Sequence, residues 1–251
     1  MQNRNFIKLF TILLSFIFSN NGLDIANLID NKLQPIDMKA TLEMTLINKK
    51  GYKRVSSLRS FSKNGGEKQI AWFLSPADDK GIGFLKIEHT NKDDEMRIYL
   101  PAFKKVRRIS AKKKSDSFMG SDLSYEDMSN RDINENMYKL LGDEILNNKN
   151  YYILEIIPKS NIKTEYSKHI AWIDTDEIIP LKEESYDQSG KLLKQKYFSF
   201  SKIGDYHIVD TMKVFNVQKN HSTILTFKDI TINTNIEDNI FQEKNLKRII
   251  K

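Results

Sequence analysis

From Met38 onward the chain alternates. Met38, Ala40, Leu42, Met44 and Leu46 share one parity; Lys39, Thr41, Glu43 and Thr45 share the other. Successive side chains of a strand point to opposite faces, so this segment reads as a strand with one face buried. The habit recurs over residues 52–63, 67–75, 82–89, 95–100, 138–146, 151–158, 168–174, 181–187, 192–203, 206–218 and 223–233. Turn signals such as Asn64-Gly65-Gly66 and Gln188-Ser189-Gly190 separate the runs. Roughly eleven strands result, and most connections are too short for crossover helices, so the sheet is expected to be antiparallel. Helix is expected over residues 23–33, with shorter candidates at 121–130 and 132–139.

A sheet of that many strands cannot stay open and flat without long exposed edges, so it must curl or close. The fold class expected is therefore mainly β with few helices: a curled antiparallel sheet forming an incomplete β-barrel. The residues assigned to its inner face are Leu42, Met44, Phe61, Trp72, Leu74, Leu85, Ile98, Leu154, Ile156, Trp172, Phe198 and Phe200. They are large and apolar. They suit a filled core, and they equally suit a greasy ligand cavity.

Near the N-terminus Arg4 and Lys8 precede an apolar run over residues 9–18, followed by Ser19-Asn20-Asn21-Gly22. A charged start, a short apolar stretch and a small-residue exit describe a secretory leader, expected over residues 1–22, with one domain over 23–251. The chain has 0 Cys, so no disulfide, thiolate metal site or acylated Cys is available. The net charge is +7 at neutral pH, and losing Arg4 and Lys8 with a cleaved leader leaves +5. Export, and basic residues not interleaved with stacking aromatics, argue against nucleic acid.

The chemistry of a catalyst is missing. His89, His169, His207 and His221 are scattered, with no metal-ligand spacing. There is no G-x-S-x-G, Walker or dinucleotide glycine pattern. Asp122, Glu126 and Asp127 cluster, but the simpler account is a helix cap at Asp122 with Tyr125 packing beneath. No enzyme, cofactor or metal is expected. Lys104, Lys105, Arg107, Arg108, Lys112, Lys113 and Lys114 put seven cations into eleven residues. They cannot be buried unpaired, so they belong at a solvated edge or loop. A functional role there would be contact with phospholipid head groups or an acidic docking surface.

The block Tyr99-Leu100-Pro101-Ala102-Phe103-Lys104-Lys105-Val106-Arg107-Arg108-Ile109, then Ser117-Phe118-Met119-Gly120-Ser121-Asp122 and Ser124-Tyr125-Glu126-Asp127, resembles the outer-membrane lipoprotein-sorting protein family, which is LolA/LolB-like. Ile240-Phe241-Gln242-Glu243-Lys244-Asn245-Leu246 resembles the closing segment of that family. The resemblance implies a half-open antiparallel barrel with an α-helical lid, made here by residues 23–33 and the segment near Asp122–Asp127. It implies a periplasmic carrier whose apolar lumen shelters lipid or lipoprotein acyl chains. An inner-membrane exporter, an outer-membrane receptor and, transiently, an anionic membrane surface would be its partners. The alternative is a periplasmic adaptor subunit that docks on a membrane exporter.

Overall fold

The computed structural model describes residues 22–90 and 92–250. The expected leader, Gly22 excepted, lies outside the described residues.

Thirteen strands form one antiparallel sheet. They are β1 (Asp37–Ile47), β2 (Lys53–Lys63), β3 (Lys68–Ser75), β4 (Gly83–Ile87), β5 (Glu95–Leu100), β6 (Lys105–Ile109), β7 (Asn136–Leu146), β8 (Lys149–Pro158), β9 (Tyr166–Asp174), β10 (Pro180–Asp187), β11 (Leu192–Ile203), β12 (Tyr206–Asn216) and β13 (His221–Ile232). The order across the sheet is β6-β5-β4-β3-β2-β1-β13-β12-β11-β10-β9-β8-β7. Two meanders are thus joined at the middle by the β1–β13 pair, in which Met44 faces Leu225. The two edges, β6 and β7, are consecutive in sequence and do not pair. The sheet is curled but open. Bulges at Lys39/Thr41, Ser57/Leu58, Leu140/Gly142 and Ser199/Phe200 bend the strands that carry them.

The additional strand beyond those read from the sequence is β6. The basic run does not stay a loop: Pro101–Phe103 form a tight turn, Lys104 takes a left-handed conformation (φ 51°), and Lys105–Ile109 pair with β5. Among the described residues the single α-helix, α1 (Gly22–Asp30), is shorter than expected. The helix expected over 121–130 is absent, replaced by turns with a 3-10 turn at Glu126–Met128; residues 133–135 make another before β7 begins.

Both faces of the sheet are covered, each by a different segment. On the concave face, the link between β6 and β7 folds inward. Phe118, Leu123 and Tyr125 pack there against Leu42, Met44, Phe84 and Ile98. Phe118 meets Phe84 and Tyr125 edge-on, with ring centroids 5.1 and 5.9 Å apart. On the convex face the C-terminal segment covers β2–β5: Ile236, Phe241 and Leu246 pack on Phe61, Ile70, Trp72 and Leu85. Trp72 Nε1 donates to the Asn245 carbonyl at 2.9 Å. Helix α1 covers the concave face at the other end of the sheet, placing Ile25 and Ala26 on Leu154, Ile156, Ala171 and Ile173.

Candidate functional site

The site is the concave face and the segment that fills it, residues 110–135, here called the plug. The plug adds no strand to the sheet; its one β-bridge, Ser117 to Ser124, is internal. Two buried carboxylates tie it down.

The first is Asp122. Its backbone N–H donates to the Thr223 hydroxyl at 2.8 Å, and its Oδ2 accepts from that hydroxyl at 2.7 Å. His221 Nδ1 stands 2.7 Å from the same oxygen. This corrects the helix-cap reading: the carboxylate is engaged with β13 and is not free to cap its own segment. Tyr125 does pack beneath, as expected.

The second is Asp127, whose Oδ2 accepts from Lys194 at 2.8 Å and Oδ1 from Lys196 at 2.7 Å. Tyr166 Oη donates to it at 2.9 Å, and the Ser124 backbone N–H closes the shell at 2.9 Å. Lys196 reaches on to Glu183 at 3.2 Å, and Arg131 grips Glu183 through a two-pronged contact at 3.0 and 3.2 Å. Lys194 also pairs with Glu165 at 3.2 Å. Three cations therefore face three carboxylates. Isolated, any one of these charges would be expensive to bury; mutually paired, the set is tolerated.

The electrostatics follow. Burial pushes the Asp127 carboxyl up, but the two ammonium groups override it and hold it far below the usual carboxylate range. Glu183 is likewise held well down, burial notwithstanding, by Arg131 and Lys196. Burial and the Asp127 charge push Tyr166 far up, so it remains a donor. Burial, with the Arg131 charge, lowers His169 to about 4, so its ring is neutral and pairs with Ser185 at 2.8 Å. General acid–base catalysis works best with a group poised near the operating pH. Asp127, Glu183, Tyr166 and His169 are displaced away from neutrality, as suits charges and donors that hold the plug in place.

Several cavities border the plug, among them a polar one of about 660 Å³ lined by Glu88, Asp94, Lys114, Asn130 and Asp132. One of about 140 Å³ lies under α1 and is lined by Ala26, Ile29, Leu154, Ile156 and Ile173, with Arg131 and Glu183 at its border. One of about 340 Å³ lies along β1, β11, β12 and β13, with Met38, Met128, Phe200, Met212 and Phe227 in its wall. A polar one of about 180 Å³ contains Glu126, Arg131, Tyr166, His169 and Lys196. A cavity near 150 Å³ holds a molecule the size of benzene. The apolar space under α1 is thus far smaller than a long acyl chain.

The twelve residues assigned to the inner face divide. Leu42, Met44 and Ile98 meet the plug. Leu154 and Ile156 line the cavity under α1, and Phe200 lines the Met-rich one. Phe198 lies opposite Met212 and is half-buried. Phe61, Trp72 and Leu85 lie on the convex face beneath the C-terminal segment. Leu74 shares their parity and is half-buried. Trp172 also points outward: Ala171 and Ile173 face α1, while its ring carries Lys182 at 3.7 Å and its Nε1 donates to Glu144 at 2.7 Å. Size and apolarity misassign Trp72 and Leu85 because β3 and β4 are buried on both faces. Of the seven basic residues, six are exposed and Lys114 pairs with Asp94 at 3.3 Å.

Sequence reading missed the Lys194–Lys196–Glu183 network, although a signal existed. Lys194 and Lys196 share the parity of Phe198, which was placed inside, so the same alternation requires both ammonium groups to face the interior.

The chain is an open, curled antiparallel sheet whose concave face is covered by its own inter-edge segment and a short helix, a fold shared with lipoprotein-sorting proteins. The comparisons agree. An outer membrane lipoprotein-sorting protein domain from Vibrio parahaemolyticus is 36% identical, over 90% of this chain and 98% of that one, with a TM-score of 0.85. A DUF1329 family protein from Desulfovibrio piger is 32% identical, over 90% and 97%, also at 0.85. A LolA superfamily protein from Nitrosomonas europaea shares the fold at 18% identity, over 89% and 98%, with a TM-score of 0.71. A family model described as "Uncharacterized protein" matches residues 65–248, and no curated protein matches. The chain belongs to the outer-membrane lipoprotein-sorting protein family.

Proposed function

We propose that this protein is a periplasmic carrier that shelters the acyl chains of a lipid or lipoprotein on its concave face, in transit to the outer membrane. After export, residues 23–251 act as one carrier unit. The observation that carries this reading is the construction of the plug. It occupies the apolar hollow but pairs with no strand of the sheet, so it can leave without breaking a strand pairing.

Releasing the plug uncovers three large side chains, at about 1.5–3 kcal/mol each, and parts Asp122 from β13 and Asp127 from β11. Burying one sixteen-carbon chain returns about 12 kcal/mol at ~0.8 kcal/mol per methylene, which offsets the uncovered apolar surface. Met38, Met128 and Met212 supply the adaptable wall that a change of occupant needs. Partners that supply or accept cargo, an inner-membrane exporter or an outer-membrane receptor, would act by shifting this balance.

The filled concavity is also what an adaptor would show, a protein that docks on a membrane exporter and carries nothing. Native mass spectrometry after incubation with a triacylated lipopeptide separates the two. A one-to-one adduct supports the carrier; a bare mass under conditions that load an established carrier supports the adaptor.

A further inference from the structure

The net charge of the chain is concentrated at one corner. Residues 101–114 hold seven Lys and Arg and no Asp or Glu. Removing those seven from the 40 basic residues leaves 33, equal to the 33 acidic ones, so the rest of the chain is neutral and this corner supplies the whole +7. Elsewhere some of the described basic residues hold carboxylates, among them Lys63, Lys68, Arg97, Lys168 and Lys228. Among the described residues, Lys104, Lys105, Arg107, Arg108, Lys112 and Lys113 are exposed, and none makes an ion pair.

Their placement adds a second feature. Lys105 lies opposite Leu100 and Arg107 opposite Ile98, both on the concave parity, while Arg108 takes the convex parity with Val106. Cations thus project from both faces of β6, the outermost strand. At the tip of the β5–β6 turn, Phe103 is 59% exposed, and the Arg107 guanidinium stands 5.2 Å from its ring centre. An exposed aromatic ring among unpaired cations at a tight turn matches the head-group region of a bilayer, where the ring enters the acyl boundary and the cations meet phosphates.

We propose that residues 101–114 dock edge-on onto an anionic phospholipid surface, with Phe103 as the inserted side chain. The surface chosen is a bilayer and not an acidic protein because the cations splay to both sides of one edge around an apolar tip. That geometry serves a plane of mobile anions better than a fixed set of carboxylates. The inference does not depend on cargo carriage, since it concerns an outer corner and not the concave face.

Sedimentation of the full chain with vesicles tests it. We expect the chain to pellet with vesicles containing phosphatidylglycerol, markedly more than with pure phosphatidylcholine, and the difference to shrink as salt shortens the reach of the charges. Each cation near an anionic leaflet strengthens partitioning roughly fivefold, so replacing Lys105, Arg107 and Arg108 together by Ser should weaken it about a hundredfold. Phe103→Ala should weaken it less steeply and at high salt as well. In Phe103→Trp, brominated lipid should quench emission beyond the level of the parent chain. Equal binding to neutral vesicles, full binding by the triple variant, or no added quenching overturns the proposal. Retained circular dichroism melting curves confirm that the variants fold. Lipopeptide adducts measured without vesicles report the carrier reading separately, so either idea can fail alone.

Discussion

Asp127 Oδ2 accepts a hydrogen bond of 2.8 Å from Lys194 Nζ across 67 residues of sequence, and the two side chains are 3% and 4% exposed. One residue belongs to the plug and the other to β11. The contact is therefore one of the two points at which buried carboxylates fix the inter-edge segment to the sheet, the other being Asp122 on Thr223.

Asp127→Asn removes the charge that two buried ammonium groups share. Breaking one side of a buried ionic set costs about 3–5 kcal/mol, because the partners are left uncompensated. Urea unfolding should show a loss of that size. Replacing Asp127, Lys194 and Lys196 together by Leu, Met and Met should recover most of it, because well-packed apolar groups of similar volume are often as stable as the pair they replace.

His169 gives the fold a pH dependence of known sign. Its folded value is about 4, against 6.5 when unperturbed. Between those values the unfolded chain binds the extra proton, so stability is complete above about pH 6.5 and falls as the pH drops toward 4. The loss should amount to about 3 kcal/mol at 1.36 kcal/mol per unit. Glu183, held low by Arg131 and Lys196, contributes a further loss below its ordinary value of 4.5. Denaturant midpoints across pH 7 to 4 should fall in the parent chain and stay flatter in His169→Gln.

Gly83 permits the convex-face strap. A Cβ there would sit 2.4 Å from the Leu246 carbonyl oxygen, which is backbone and cannot swing aside. Gly83→Ala should therefore lift the 3-10 turn Glu243–Lys247 from β4, at about 1–3 kcal/mol. Trp72, now 0% exposed, should shift its emission to the red.

Phe118→Ala separates plug from cargo. Truncating a buried Phe costs about 3–5 kcal/mol. The variant should be less stable without ligand, yet bind lipopeptide more tightly, because less apolar contact must be given up. Isothermal titration and thermal melting together check both halves; loss of stability with unchanged or weaker binding would assign Phe118 to the core alone.

Much of this was legible in the sequence, and the failures have physical causes. Period-two alternation from Met38 to residue 233 located nearly every strand, because a half-buried strand must alternate. β6 was hidden because Lys105–Ile109 is an edge, mostly solvated, with no buried face to impose a pattern. The plug's helix was expected from Ser121-Asp122 followed by Leu123, a local capping signal. Tertiary partners on β13 and β11 claimed Asp122 and Asp127 instead, and no local signal records a partner 101 residues away. Trp72 and Phe61 were put on the concave face because residues in strands covered on both sides carry no mark of which side is which.

The most direct test of the plug as a displaceable occupant is hydrogen–deuterium exchange over residues 117–128, with and without a triacylated lipopeptide. The account requires that saturating lipopeptide speed exchange at these amides while those of β1 and β13 stay protected. Bound lipopeptide with plug exchange unchanged or slowed would contradict it.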